Sequence, residues 1–93
     1  MNTAIFKNVL RENGDLAGVF EFYGKTGYFY LCDLKVENEN KVVTGIRLTS
    51  GENTLSLNDE DVAIEWDKAQ EKVGLFIRGS LWASINVLKC INW

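Results

Sequence analysis

The chain has no histidine and no proline, only two cysteines and one methionine, and no apolar run of membrane-spanning length. Each absence narrows the chemistry. Without histidine there is no Ser-His-Asp or Cys-His nucleophilic site, no His-ligated zinc and no imidazole general base. Cys32 and Cys90 are too far apart in sequence for zinc-ligand spacing and too few for a disulfide framework. They read as small apolar residues in a reducing compartment. No charged-then-apolar leader opens the chain and no segment approaches the roughly 18 apolar residues of a membrane helix. The expected location is therefore cytoplasmic, with no membrane contact. An excess of basic residues is also lacking. Ten Lys and Arg against thirteen Asp and Glu leave a net charge of −3, and the cations are scattered. That balance argues against nucleic acid as a partner and permits a basic protein.

What is present is apolar and alternating. A hydrophobic fraction of 46% in 93 residues excludes a disordered chain and suits one β-rich domain, residues 1–93. From Val62 to Val87, short alternating runs separated by charged or Gly-Ser breaks predict a three-stranded antiparallel meander at the centre of the fold. Pairing Trp66 with Val73, Ile64 with Leu75 and Val62 with Ile77 makes one face apolar. It also sets Asp61 across from Arg78 and Ala63 across from Phe76. For the next hairpin a three-residue loop, Gly79-Ser80-Leu81, is preferred. It aligns Ala83, Ile85 and Val87 with Ile77, Leu75 and Val73, and brings Arg78 beside Trp82 for a cation–π contact.

The N-terminal half reads as further hairpins. Residues 3–11 fit a helix face through Ile5, Phe6, Val9 and Leu10, but β-branched content and the Asn13-Gly14 two-residue turn signal favour a strand. Ala17 to Tyr23 and Tyr28 to Leu34 pair around a Gly24-Lys25-Thr26-Gly27 loop, aligning Phe22 with Phe29 and Phe20 with Leu31. The opposite face carries Val19, Glu21, Tyr23, Tyr28, Tyr30 and Cys32, as a second packed layer in preference to a binding surface. Lys35 to Lys41 is a polar turn. Val42 to Thr49 alternates with Val42, Ile46 and Leu48 in phase. Residues 50–53 form a turn, Leu55 and Leu57 mark a short strand, and residues 88–93 form a last edge strand or a tail. The fold class is all-β or nearly so, with α+β carrying one short helix as the variant: antiparallel hairpins in a twisted sheet or small sandwich.

Candidate motifs for chemistry mostly fail. Gly24-Lys25-Thr26 resembles the end of a phosphate loop, but Val19 stands where the first glycine belongs and a strand follows instead of a helix. Asp59-Glu60-Asp61 is no calcium loop, because Ile64 occupies the position of the required glycine. No catalytic residue, metal or cofactor is assigned, and the chain is not expected to be an enzyme. One pattern is more particular. Asp59, Asp61, Glu65 and Asp67 share one face of an extended segment at about 6.6 Å spacing, with Glu60 and Glu71 nearby in sequence. Such exposed carboxylates contribute little to stability, Asp61 excepted through Arg78. The ribbon is either a solvated, edge-protecting face or a docking surface for a basic partner.

Thr26-Gly27-Tyr28-Phe29-Tyr30 with Asp33, Ile64-Glu65-Trp66, Lys72, Gly74-Leu75-Phe76-Ile77, Gly79 and Ala83 together resemble a small bacterial family of uncharacterised domains, over about Phe20 to Ala83. These are mainly core and turn positions, so the resemblance implies fold and no catalytic residue. By profile, as a small acidic single-domain protein, the chain is also similar to immunity proteins of contact-dependent growth inhibition and other polymorphic toxin systems. That similarity implies a protein that neutralises a toxin, with a nuclease carrying a basic cleft as the expected kind. The partner-binding candidates are Asp59, Glu60, Asp61, Glu65, Asp67 and Glu71, with Phe76, Arg78 and Trp82 as anchors. The alternatives are a structural or adaptor module assembling through a sheet edge or the tyrosine face, and a small-ligand binder or enzyme with a pocket in a curved sheet.

Overall fold

The computed structural model describes residues 4–23, 26–35, 42–49 and 57–90. Among these described residues, seven strands form two antiparallel sheets. The first contains β1 (Ala4–Leu10), β2 (Leu16–Tyr23), β3 (Thr26–Asp33) and β4 (Val42–Thr49) in that order. The second contains β5 (Val62–Trp66), β6 (Lys72–Ile77) and β7 (Ser80–Asn86). A 3-10 turn at Asp59–Asp61 leads into β5, and a short helix α1 (Val87–Cys90) follows β7. This is a small, mostly antiparallel sandwich.

Period-2 alternation explains the layering. Ile5, Leu16, Phe20, Phe22, Phe29 and Leu31 of the first sheet share one core with Val62, Ile64, Val73, Leu75, Ile77 and Ile85 of the second. Phe29, Leu31, Val73 and Leu75 are completely sealed from solvent. At about 25 cal/mol per Å² of apolar area, each such side chain stabilises the fold by roughly 1.5–3 kcal/mol before its entropy is counted. Leu57, just before the 3-10 turn, is irregular in backbone yet buried in the same core. Of the short strand expected at Leu55 and Leu57, only Leu57 falls within the described residues; residue 55 lies outside them.

One margin of the sandwich is sewn by polar contacts. Lys7 of β1 donates from Nζ to the Val62 carbonyl at 2.8 Å, and the Trp66 indole Nε1 donates to the Val9 carbonyl at 3.0 Å. Arg11 lies 5.9 Å from the Trp66 ring centroid, grips Asp15 through two hydrogen bonds of 2.9 and 2.5 Å, and donates to the Gln70 carbonyl at 3.0 Å. The Gln70 side chain accepts the Glu12 N–H at 2.7 Å. The β1–β2 loop and the β5–β6 turn therefore close on each other.

Several expected registers hold and several move. The β5–β6 pairing is as expected, with Val62, Ala63, Ile64 and Trp66 opposite Ile77, Phe76, Leu75 and Val73. Arg78 donates its backbone N–H to the Asp61 carbonyl at 2.7 Å. Within the stretch expected to be a strand, Ala4–Leu10 form β1. The three-residue loop after β6 is overturned: the loop is Arg78 and Gly79, both at positive φ (51° and 84°), and Ile77 faces Ser80. Backbone twist favours such a turn between paired strands. A bulge then leaves Trp82 without a register partner and returns Ala83 opposite Leu75 and Ile85 opposite Val73. The register expected to bring Arg78 beside Trp82 does not form.

The β2–β3 pairing also shifts by two residues. Phe20 faces Phe29, Phe22 faces Gly27, and only residues 24–25 separate the strands. Gly27 explains the preference, because a Cβ there would stand 3.0 Å from the Phe20 ring. The Asn13-Gly14 turn widens to a loop between Arg11 and Leu16 in which only Gly14 takes positive φ (80°). A bulge in the β3–β4 ladder sets Val42 opposite Cys32 and leaves it exposed, while Val43 joins Ile46 and Leu48 against the core. At the C-terminal end of β7, Asn86 Oδ1 accepts the Leu88 N–H at 2.9 Å and starts α1 where a strand or tail was expected. The turns expected at residues 36–41 and 50–53, the 24–25 portion of the phosphate-loop lookalike, and residues 91–93 lie outside the described residues.

Candidate functional site

The acidic segment does not run as one extended ribbon. Asp59, Glu60 and Asp61 curl into the 3-10 turn, so Asp59 and Asp61 leave the strand spacing that would align them with Glu65 and Asp67. Three of the carboxylates have structural partners. Asp59 lies 3.5 Å from Lys7 Nζ. Asp61 accepts the Asn58 N–H at 2.9 Å and lies 3.5 Å from Arg78. The Asn58 N–H first, and Arg78 after it, hold the Asp61 carboxyl below the usual aspartate range. Asp67 Oδ1 accepts the N–H groups of Lys72 (3.0 Å) and Glu71 (2.8 Å), and these two bonds hold its pKa down. The expectation that the ribbon's carboxylates add little to stability therefore fails at Asp67, which organises the β5–β6 turn. Glu60, Glu65 and Glu71 are exposed.

The structure brings Glu65 and Asp67 to the outer face of the second sheet. There, Gly74 lies opposite Glu65 on one side and Ser84 on the other. Because Gly74 has no side chain, Phe76 and Leu81 close in over it; a Cβ at 74 would meet each at 3.1 Å. The resulting hollow of about 300 Å³ is lined by Glu65, Trp66, Asp67, Lys72, Phe76 and Leu81, among others. Phe76 is half-buried, Leu81 is 58% exposed and Trp82, lifted by the bulge, is 44% exposed. Of the expected anchors, Phe76 and Trp82 belong to this face, whereas Arg78 sits at the tip of the β6–β7 turn. Leu81 is absent from the expected anchors because a three-residue loop would have absorbed it. Its signal is the Gly79 that allows a two-residue turn, and it is masked by Arg78, a residue type that rarely adopts positive φ.

The outer face of the first sheet is the tyrosine face, and its aromatic part stays outside the sandwich instead of forming a second packed layer. Tyr23 is 56% and Tyr28 39% exposed, while Ala17 and Val19 farther along β2 are covered. The Glu21 carboxylate accepts the Tyr23 hydroxyl at 2.6 Å and the Tyr30 hydroxyl on its other oxygen. Burial, then the bond to Glu21, pushes the Tyr30 phenol well above its usual range. Tyr28, Tyr30, Val42 and Arg47 border a shallow groove of about 410 Å³ over Gly45. Neither face assembles a nucleophile, a general base and an oxyanion donor among the described residues.

Among the described residues no helix is long and apolar enough to cross a membrane. Comparison with curated proteins and with solved structures returns no match. A family model described as an uncharacterized protein conserved in bacteria matches residues 2–89, and the chain belongs to that bacterial family, DUF2251.

Proposed function

We propose that this protein is a binding module that neutralises a basic protein, acting as an immunity protein against a bacterial toxin of the nuclease kind. The observation that carries the reading is the outer face of β5–β7, where Phe76 and Leu81 line the Gly74 hollow with Glu65 and Asp67, and exposed Trp82 follows Leu81 on β7. Buried aromatic anchors supply most of the affinity in protein interfaces, and flanking charge steers encounter. A cleft built to hold phosphates is basic, and a chain of net charge −3 with carboxylates at an apolar hollow complements it.

The test is co-expression with the product of the neighbouring gene, followed by calorimetry. A stable complex weakened at least about thirtyfold by Trp82→Ala supports the reading. No complex, or a complex indifferent to Trp82→Ala and to Glu65→Lys, overturns it.

A further inference from the structure

Four described strands edge the two sheets, and three of them carry a device that discourages pairing with another chain. β4 and β7 each hold a bulge, at Val43 and at Trp82. β5 has only five residues, bears Glu65, and has its Val62 carbonyl taken by Lys7. β1 is the exception. Its seven residues run without bulge or proline, and its one charged residue, Lys7, reaches inward to Val62 and Asp59. Hydrogen-bond phase fixes which of its backbone groups are open. Arg11 donates to the Leu16 carbonyl at 2.7 Å, so Val9, Lys7 and Ile5 also turn their backbone groups to β2. Phe6, Asn8 and Leu10 alternate with them and aim N–H and C=O away from the sheet. No hydrogen bond among the described residues reaches those groups. In β5, the bonds from Arg78 to Asp61 and from Asp67 to Lys72 leave Val62, Ile64 and Trp66 facing outward in the same way. Phe6, Asn8, Val9, Ile64 and Glu65 border a gap of about 560 Å³ between the two edges.

We propose that β1 accepts an extended segment of another protein as an added antiparallel strand, with a lysine or arginine of that segment opposite Val9. Main-chain hydrogen bonds to Phe6, Asn8 and Leu10 supply the affinity, and alternate side chains supply the selectivity. Guest side chains opposite Phe6 and Leu10 lie on the outer face against these two exposed apolar residues. The guest side chain opposite Val9 points the other way, into the gap. There a cation meets the Ile64 carbonyl with the Glu65 carboxylate beside it. Lys7 shows the same contact within the chain. Its ammonium donates to the Val62 carbonyl at 2.8 Å and pairs with Asp59 at 3.5 Å. The guest cation repeats this one strand farther out and one outward carbonyl along β5. A guest carboxylate would meet only acceptors there.

The choice of a basic segment over a second copy follows from the charges at this margin. The cation on β1 is Lys7, already held by Val62 and Asp59, and Arg11 just beyond it grips Asp15. Pairing β1 with itself therefore brings no uncommitted cation to Ile64 and Glu65. The inference needs neither Trp82 nor the hollow over Gly74, and so stands apart from the immunity reading.

The probe is the peptide acetyl-Thr-Val-Lys-Val-Thr-Val-Thr-amide, added to the full chain and followed by amide hydrogen exchange and calorimetry. In the free protein the Ile5, Lys7 and Val9 amides should exchange slowly and those of Phe6, Asn8 and Leu10 fast. The peptide should slow the second set at least about tenfold. Glutamate in place of the peptide's lysine should weaken binding at least about tenfold, and N-methylation of its three valines should abolish it. Asn8→Pro removes an outward N–H and leaves the bonds to β2 in place, so it should fold and lose the peptide. If that variant fails to fold, Glu65→Lys tests the same gap and should weaken the lysine peptide at least about tenfold. Trp82→Ala should leave peptide binding unchanged, whereas the toxin complex depends on that residue. Equal binding of the lysine and glutamate peptides, or protection at a strand other than β1, would overturn the proposal. So would no binding at millimolar peptide, or Phe6, Asn8 and Leu10 amides already slow in the free protein because β1 pairs within the chain or with a second copy.

Discussion

Gly18 of β2 lies so close under Val73 of β6 that a Cβ added at residue 18 would stand 2.6 Å from the valine Cγ2 and 3.2 Å from Ile64 Cγ2. The bare glycine is what lets the two sheets approach at this point. Val73 is fully buried and β-branched, so its methyl has no open rotamer into which to retreat. Gly18→Ala should destabilise the protein by about 1–3 kcal/mol through overpacking. Combining it with Val73→Ala should recover part of that loss relative to the sum of the single changes. Urea unfolding of the cycle measures the coupling, and strict additivity would show that the contact is not strained.

Acid should loosen this protein at identifiable joints. The Arg11 hydrogen bond lowers the Asp15 pKa, and backbone N–H groups lower those of Asp61 and Asp67, all from a reference of 3.8. A depressed folded-state pKa means the native protein binds fewer protons than the unfolded chain. These contributions are therefore complete above about pH 4 and are lost as pH falls through the lower, folded-state values. The melting temperature should be flat above about pH 4 on this account and fall below it. Asp15→Asn should start lower and show a shallower acid limb.

At the alkaline end the Glu21 cluster behaves oppositely. Tyr30 is raised by burial first and by Glu21 second, and its donated hydrogen bond is intact below the ordinary tyrosine value of 10.0. That contribution is lost only as pH rises through the higher folded-state value. Ultraviolet titration should find a phenol ionising well after free tyrosine, and Glu21→Gln should bring it down only partway, because burial remains.

Glu65 and Asp67 should separate binding from folding. Glu65→Lys alters an exposed strand carboxylate and should lower partner affinity, with a salt-dependent association rate, at an unchanged melting temperature. Asp67→Lys removes the acceptor for two backbone N–H groups and should lower the melting temperature as well, whereas Asp67→Asn keeps an oxygen there and should be milder. Equal thermal effects from the two lysine substitutions would contradict this division of roles.

Alternation along the chain was enough to say which side chains of β2, β3, β5 and β6 point inward, whereas a bulge turns Val42 of β4 outward against it. Phe20, Phe22, Phe29 and Leu31 lie on the core face, as do Ile64, Leu75 and Ile85, because a strand's side-chain period of two is a local property of the backbone. The family resemblance rested on the same core and turn positions and extends over most of the chain. Register was another matter. A slip of two residues preserves every face, so alternation cannot distinguish Phe20 opposite Phe29 from Phe20 opposite Leu31. Only tertiary packing chooses, through the space that Gly27 leaves beside Phe20 and the positive φ at Arg78. The candidate surfaces depended on that choice. Trp82 stands proud because of a bulge, Leu81 folds over Gly74 because of a two-residue turn, and Asp59 leaves the acidic row because its backbone coils. The gap between β1 and Ile64 of β5 joins residues from two sheets, and only the packing of one sheet on the other makes them neighbours.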